Sequence, residues 1–128
     1  MRDIANNIAG RESVRPAVHS ATVTGEIVDL RGFESAAVVI NTGAIVSSGN
    51  FTPKLVHGDD ASLSDAADAG ADDLVDAFPT ALAANSVYVV GYRVRKRYVR
   101  VVLTRNSGTS IAAGASLLVD RAHQRPVS

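Results

Sequence analysis

The chain has 128 residues, no cysteine, and thirteen Lys and Arg against thirteen Asp and Glu. That length points to one hydrophobic core and away from a multidomain enzyme, and a core of this size needs no disulfide or structural metal. The absent cysteines exclude thiolate zinc sites, iron–sulfur clusters and cysteine nucleophiles, while zero net charge leaves no field to attract nucleic acid or an anionic membrane.

The first ten residues include Asp3, Asn6 and Asn7 and lack the apolar run of a secretory signal. Residues 1–15 carry little periodicity. They are expected to form an N-terminal arm, loose in the free chain and ordered by a partner, with Arg2, Arg11 and Arg15 for charge pairing and Ile4 and Ile8 as small apolar anchors. Beyond them, short β-branched bursts at 14–23, 25–30, 35–41, 51–57, 87–94, 97–105 and 111–121, with a weaker one at 62–65, are separated by Gly, Asn, Asp and Ser. This is the punctuation of strands and turns. It predicts an all-β chain: a single antiparallel β-sandwich of jelly-roll type over 16–122, followed by a polar tail at 123–128.

The segment 64–78 departs from that pattern. Ala and Asp dominate it, and Asp72-Asp73-Leu74-Val75-Asp76 permits at most a short helix near 72–77, closed by Pro79 and limited on its other side by Gly70. Further on, Val90, Tyr92 and Val94 share one face, and Val99, Val101 and Leu103 share another. These two strands are expected to pair as a hairpin with Arg95-Lys96-Arg97 at its tip, a turn without the usual Gly or Asn. The expected core includes Val38, Ile40, Leu55, Val90, Tyr92, Val99, Val101, Leu103 and Leu117. Uninterrupted apolar runs such as 36–40 and 87–90 are far shorter than the roughly 20 residues that cross a bilayer, so no membrane partner is expected.

His19, His57 and His123 stand far apart and outside any metal or catalytic motif, and no nucleophile elbow or phosphate loop occurs. The reading is therefore not an enzyme, with no catalytic residue, metal or cofactor. Two charge clusters remain. Asp59, Asp60, Asp65, Asp68, Asp72, Asp73 and Asp76 fall in a stretch without Lys or Arg. Carboxylates so dense raise the question of calcium, but the ordered loop with its closing Glu is missing, which favours a solvated acidic surface. Arg93, Arg95, Lys96, Arg97, Arg100 and Arg105 form the opposite cluster, with Tyr92 and Tyr98 beside it as potential stacking faces. A neutral chain with a matching acidic patch is a poor match for a phosphate polymer. The expectation is docking to a protein partner through Arg93, Arg95, Lys96, Arg97 and Arg100 and, separately, through the Asp59 and Asp60 segment. The alternative is that the two clusters pair with each other inside one subunit.

Certain runs also carry a likeness. The segment T-V-T-G-E-I-V-D-L-R-G-F at 22–33, F-T-P-K-L-V-H-G-D-D at 51–60, D-A-F-P at 76–79 and G-Y-R-V-R-K-R-Y-V-R-V at 91–101 resemble small virion proteins from the structural gene modules of tailed bacteriophages and prophages. The likeness spans roughly residues 21–104. It implies a capsid decoration or cement protein that binds the major capsid protein on the outside of the head shell, commonly as a homotrimer. The chain would then reside in the virion after synthesis in the host bacterial cytoplasm. A head-to-tail connector or tail component is equally compatible with the residues. A nucleic-acid-binding module ranks lower, resting on the basic cluster alone.

Overall fold

Alternation in sequence becomes alternation in burial. In the strand Tyr98–Ser107, Val99, Val101 and Leu103 are fully buried, while Tyr98, Arg100 and Thr104 on the other face are half-exposed. The computed structural model describes residues 8–33 and 35–120. Among these the strands are β1 (Ile8–His19), β2 (Val23–Thr24), β3 (Val28–Asp29), β4 (Ala36–Val46), β5 (Asn50–Gly58), β6 (Ala67–Asp68), β7 (Val87–Tyr92), β8 (Tyr98–Ser107) and β9 (Ser110–Asp120). The described residues form no helix.

The strands make two antiparallel sheets, one ordered β1-β9-β4-β7 and the other β2-β8-β5-β6, with β3 also on β8. Counting β2 and β3 as one interrupted strand, the first pairs with the last, the second with the next to last, and so inward to β5 and β6. A long antiparallel ribbon rolled on itself gives that order, which is the jelly roll. The space between the sheets is filled by Val38 and Ile40 of β4, Phe51 and Leu55 of β5, Val90 and Tyr92 of β7, Val99, Val101 and Leu103 of β8, and Ile111 and Leu117 of β9. Every residue expected in the core lies there.

The interruption between β2 and β3 is bridged from the opposite sheet. Where residues 25–27 leave the β8 ladder, the buried hydroxyl of Ser13 accepts the Val101 N–H at 3.0 Å and donates to the Glu26 carbonyl at 2.9 Å. Gly25 donates to the Val101 carbonyl at 2.8 Å. A Cβ at Gly25 would lie 2.7 Å from that carbonyl oxygen, so the close approach requires glycine here.

Several expected elements differ. The strands β7 and β8 do not pair: β7 bonds to β4 and β8 to β5, so residues 93–97 cross between sheets instead of closing a hairpin. The stretch has no residue suited to a tight turn, and the Tyr92 hydroxyl holds it by accepting the N–H groups of Arg95 at 3.3 Å and Lys96 at 3.1 Å. Within 64–78, after the 63–66 turn and β6, the chain makes a second hydrogen-bonded turn, with the Gly70 carbonyl accepting from Asp73 and Leu74, and then runs beside β7. Burial of Leu74 draws it there, and Val75 donates to the Gly91 carbonyl while Arg93 donates to the Asp73 carbonyl. The candidate strand at 62–65 is a turn, with Leu63 at φ 57°, and the short strand β6 follows it. Residues Ile8–Arg15, read as part of an arm, belong to β1 and pair with β9 from the Ile8–Asp120 position onward. Register shifts between Glu12 and Val14 and between Val14 and Ala17 break the period of two, so the burst at 14–23 catches only the second part of the strand and its start at Ile8 is missed. Residues 1–7, including Arg2 and Ile4, and 121–128 lie outside the described residues.

Candidate docking surfaces

The basic and acidic clusters that the sequence separates are neighbours in space. The path of 59–76 runs along the free edges of β5 and β7, beside the crossover 93–97. Lys96 Nζ lies 3.2 Å from Asp59 Oδ2, and Arg95 Nε lies 3.7 Å from Asp73 Oδ1. The guanidinium groups of Arg93 and Arg95 each donate to the Asp72 carbonyl at 3.2 Å. Arg97 makes a two-pronged pair with Asp29, both contacts at 2.9 Å, and its guanidinium lies 4.9 Å from the Tyr98 ring centre. Asp29 was not expected as a partner. Its carboxyl is held below the usual range first by the Arg97 hydrogen bond, opposed by partial burial. Exposed pairs of this kind are each worth under ~1 kcal/mol, so their effect is to fix the crossover and neutralise its charge rather than to stabilise the fold.

Beneath this surface lies a buried polar chain. The Tyr92 hydroxyl already accepts two backbone N–H groups, which leaves its own proton for His57 Nδ1 at 2.7 Å. The accepting nitrogen puts the imidazole proton on Nε2, which faces Asp73 Oδ2 at 3.9 Å. Burial pushes the Tyr92 phenol up. His57 and Tyr92 are both buried inside the sandwich, and their contact anchors the crossover.

The acidic loop uses its carboxylates on its own backbone. Asp60 accepts the Ser62 N–H at 2.9 Å and the Ser62 hydroxyl, and Asp65 accepts the N–H groups of Asp59 at 3.0 Å and Asp60 at 3.2 Å. The Ser62 hydroxyl, followed by the N–H groups of Ser62 and Ser64, lowers the Asp60 carboxyl to about 2. The described residues contain no group of three or more His, Asp or Glu arranged to hold a metal ion. Arg100 stands apart from these pairs. It sits on the outer face of the β2-β8-β5-β6 sheet, across from Val56, with its Nε buried and unpaired among the described residues.

Of the terminal residues, Ile8 is half-buried on β1, Arg11 is exposed with its guanidinium 6.0 Å from the Phe33 ring centre, and Arg15 pairs with Glu12 at 3.4 Å. They flank a surface that sequence reading missed. Across the outer face of the other sheet, aligned rows over β9, β4 and β7 read Leu118-Ala37-Gly91, Ser116-Val39-Val89 and Gly114-Asn41-Val87, with none charged. On the β7 side Val75, Val87 and Val89 form a ridge, 60%, 62% and 58% exposed. On the β1 side the small residues Ala112 and Gly114, bordered by Pro16 and Val18, leave a groove of about 590 Å3. The outer face of the β2-β8-β5-β6 sheet instead carries Arg100 and the Lys54–Asp68 pair at 3.2 Å. The signal was present in β7, where Val87 and Val89 alternate with core residues and make the strand apolar on both faces.

No known protein family matches this chain, and no curated protein does. Among solved structures, the SPBc2 prophage-derived protein YomS is similar over 94% of this chain and 100% of its own, with a TM-score of 0.51 and 10% identity. A chain in the structure of infectious bursal disease virus, Gx strain, is similar over 91% of this chain and 33% of its own, with a TM-score of 0.51 and 11% identity. At these identities the likeness is one of fold.

Proposed function

We propose that the chain is a virion structural protein of a tailed bacteriophage or prophage, acting as a decoration or cement protein on the head shell. Its partners on this reading are the major capsid protein and further copies of itself, with a trimer favoured, and its location is the capsid after synthesis in the host bacterial cytoplasm. The observation that carries the reading is the complete jelly roll: its interior is packed with apolar side chains, which leaves recognition to its outer surfaces. The sequence likeness to phage virion proteins adds the setting, and the fold shared with a prophage-derived protein is consistent with it.

Docking through Arg93, Arg95, Lys96, Arg97, Arg100, Asp59 and Asp60 belongs to this proposal in a changed form. With Arg95, Lys96 and Arg97 already facing Asp73, Asp59 and Asp29, contact with a shell would exchange existing pairs on a mixed-charge surface. The same pairing weighs against the nucleic-acid reading, because neutralised cations release few counterions from a phosphate backbone.

Mass spectrometry of purified virions tests the proposal. Hundreds of copies per particle are expected for decoration, about six or twelve would shift the reading to a head-to-tail connector, and none would overturn a virion role.

A further inference from the structure

We propose that the outer face of the β1-β9-β4-β7 sheet is where copies of this chain bind one another, with the Val87 and Val89 ridge of one copy seated in the groove over Ala112 and Gly114 of the next. The inference deepens the self-assembly part of the reading above and needs no virion role.

The two outer faces of the sandwich differ in kind. One carries the Lys54–Asp68 pair and Arg100, the pattern of a surface that stays in water. The other has uncharged rows across three strands, with its one exposed ion pair among the described residues, Glu12–Arg15, confined to the edge strand β1, and its exposed valines lie together instead of scattered. Contiguous apolar surface of that kind marks an interaction site.

The occupant follows from the relief. The ridge runs along the edge strand β7 and the groove spans β1, β9 and β4 of the same face, so a single chain displays both halves of the contact. A twofold axis parallel to the strands, lying over the middle of the face and between the two copies, lays the β7 margin of one copy over the β1 and β9 margin of the other, and the reverse contact forms at the same time. Turning copies about a threefold axis repeats the same ridge-to-groove contact in a ring. Size is adequate as well. The sheet has four strands. At about 4.8 Å between strands and roughly eight residues along each, one face measures roughly 19 by 26 Å, and two of them bury on the order of 1,000 Å2 before side-chain relief is added, the lower bound for a stable interface. Over β9, β4 and β7 the aligned rows carry no Lys or Arg that would address lipid headgroups and no aromatic belt of a membrane surface; the Glu12–Arg15 pair lies on the edge strand β1.

Sedimentation velocity on the full chain at tens of micromolar decides the matter, with circular dichroism and thermal melting as folding controls. The wild type is expected to be a dimer or trimer. Val89→Lys and Ala112→Glu are each expected to yield folded monomers, and the double variant to reassemble in a salt-sensitive manner, since every ridge lysine then meets a groove glutamate. Val18→Glu, at a position 70% exposed on the groove margin, replaces Ala112→Glu if that variant does not fold. A monomeric wild type, single variants that remain assembled, or a double variant that stays monomeric would each overturn the contact. None of these results bears on particle copy number, so this contact and the virion reading fail separately.

Discussion

Tyr92 contributes more through its oxygen than its position in an apolar interior implies. One hydroxyl satisfies two backbone N–H groups of the crossover and the Nδ1 of a buried histidine. Tyr92→Phe keeps the ring and strands all three, at a cost of ~1–3 kcal/mol. Urea unfolding should show that loss, with faster amide exchange at Arg95 and Lys96; an unchanged midpoint with unchanged exchange would contradict the role. Asp60 makes a different prediction, because its effect is on a loop at the surface. With a folded value of about 2, below the ordinary ~3.9 of an aspartate, its contribution is complete above pH ~4 and is lost as pH falls through about 2. The amide signals of Ser62 and Ser64 should therefore hold steady on acidification to pH ~3 and then move with a midpoint near 2. A midpoint near that of a free aspartate would show that the loop bonds do not form.

Elements in this fold are shaped by where their ends must go. The turn between β4 and β5 passes the chain from one sheet to the other, with Ser47 at φ 50° and Ser48 at φ 60° and the Gly49 N–H returning to the Val46 carbonyl at 3.2 Å. Two successive residues in the left-handed region favour Asn and Gly, and serine holds the turn at a disadvantage. The double substitution Ser47→Asn with Ser48→Gly is expected to raise stability by ~0.5–1 kcal/mol, seen as a higher urea midpoint with an unchanged slope. The edge strand β7 shows the same dependence on surroundings. Its Gly91 and Tyr92 end is covered by the 73–75 segment, whose backbone bonds continue the ladder, while Val87 and Val89 remain exposed. A segment rich in Ala and Asp is thus held extended by Leu74 in the core rather than by its own helical preference.

The whole molecule closes by joining its first strand to its last. Ser13 and Val14 are each 1% exposed, so removing residues 1–15 takes away part of the core as well as most of the edge strand β1. The truncated chain should lose cooperative thermal unfolding; a melting curve like that of the full chain would mean that this part of β1 is dispensable. Sequence alone determined the class and the core: in β4, β8 and β9 the alternation of side chains is local and regular, so Val38, Ile40, Val99, Val101, Leu103 and Leu117 were legible as inward positions. It also exposed the two charge clusters, since composition along the chain needs no partner to be read. Their meeting was decided only by the tertiary structure. Lys96 and Asp59 are 37 positions apart and come together because β7 and β8 enter different sheets, a choice that no local pattern encodes. The apolar outer face was settled at the same level: Val39, Val89 and Ser116 become one row only when β4 lies between β7 and β9. Strand periodicity is a property of neighbouring residues, whereas pairing, register and the relief of a face arise from contacts between distant ones, and these exist only once the chain has folded.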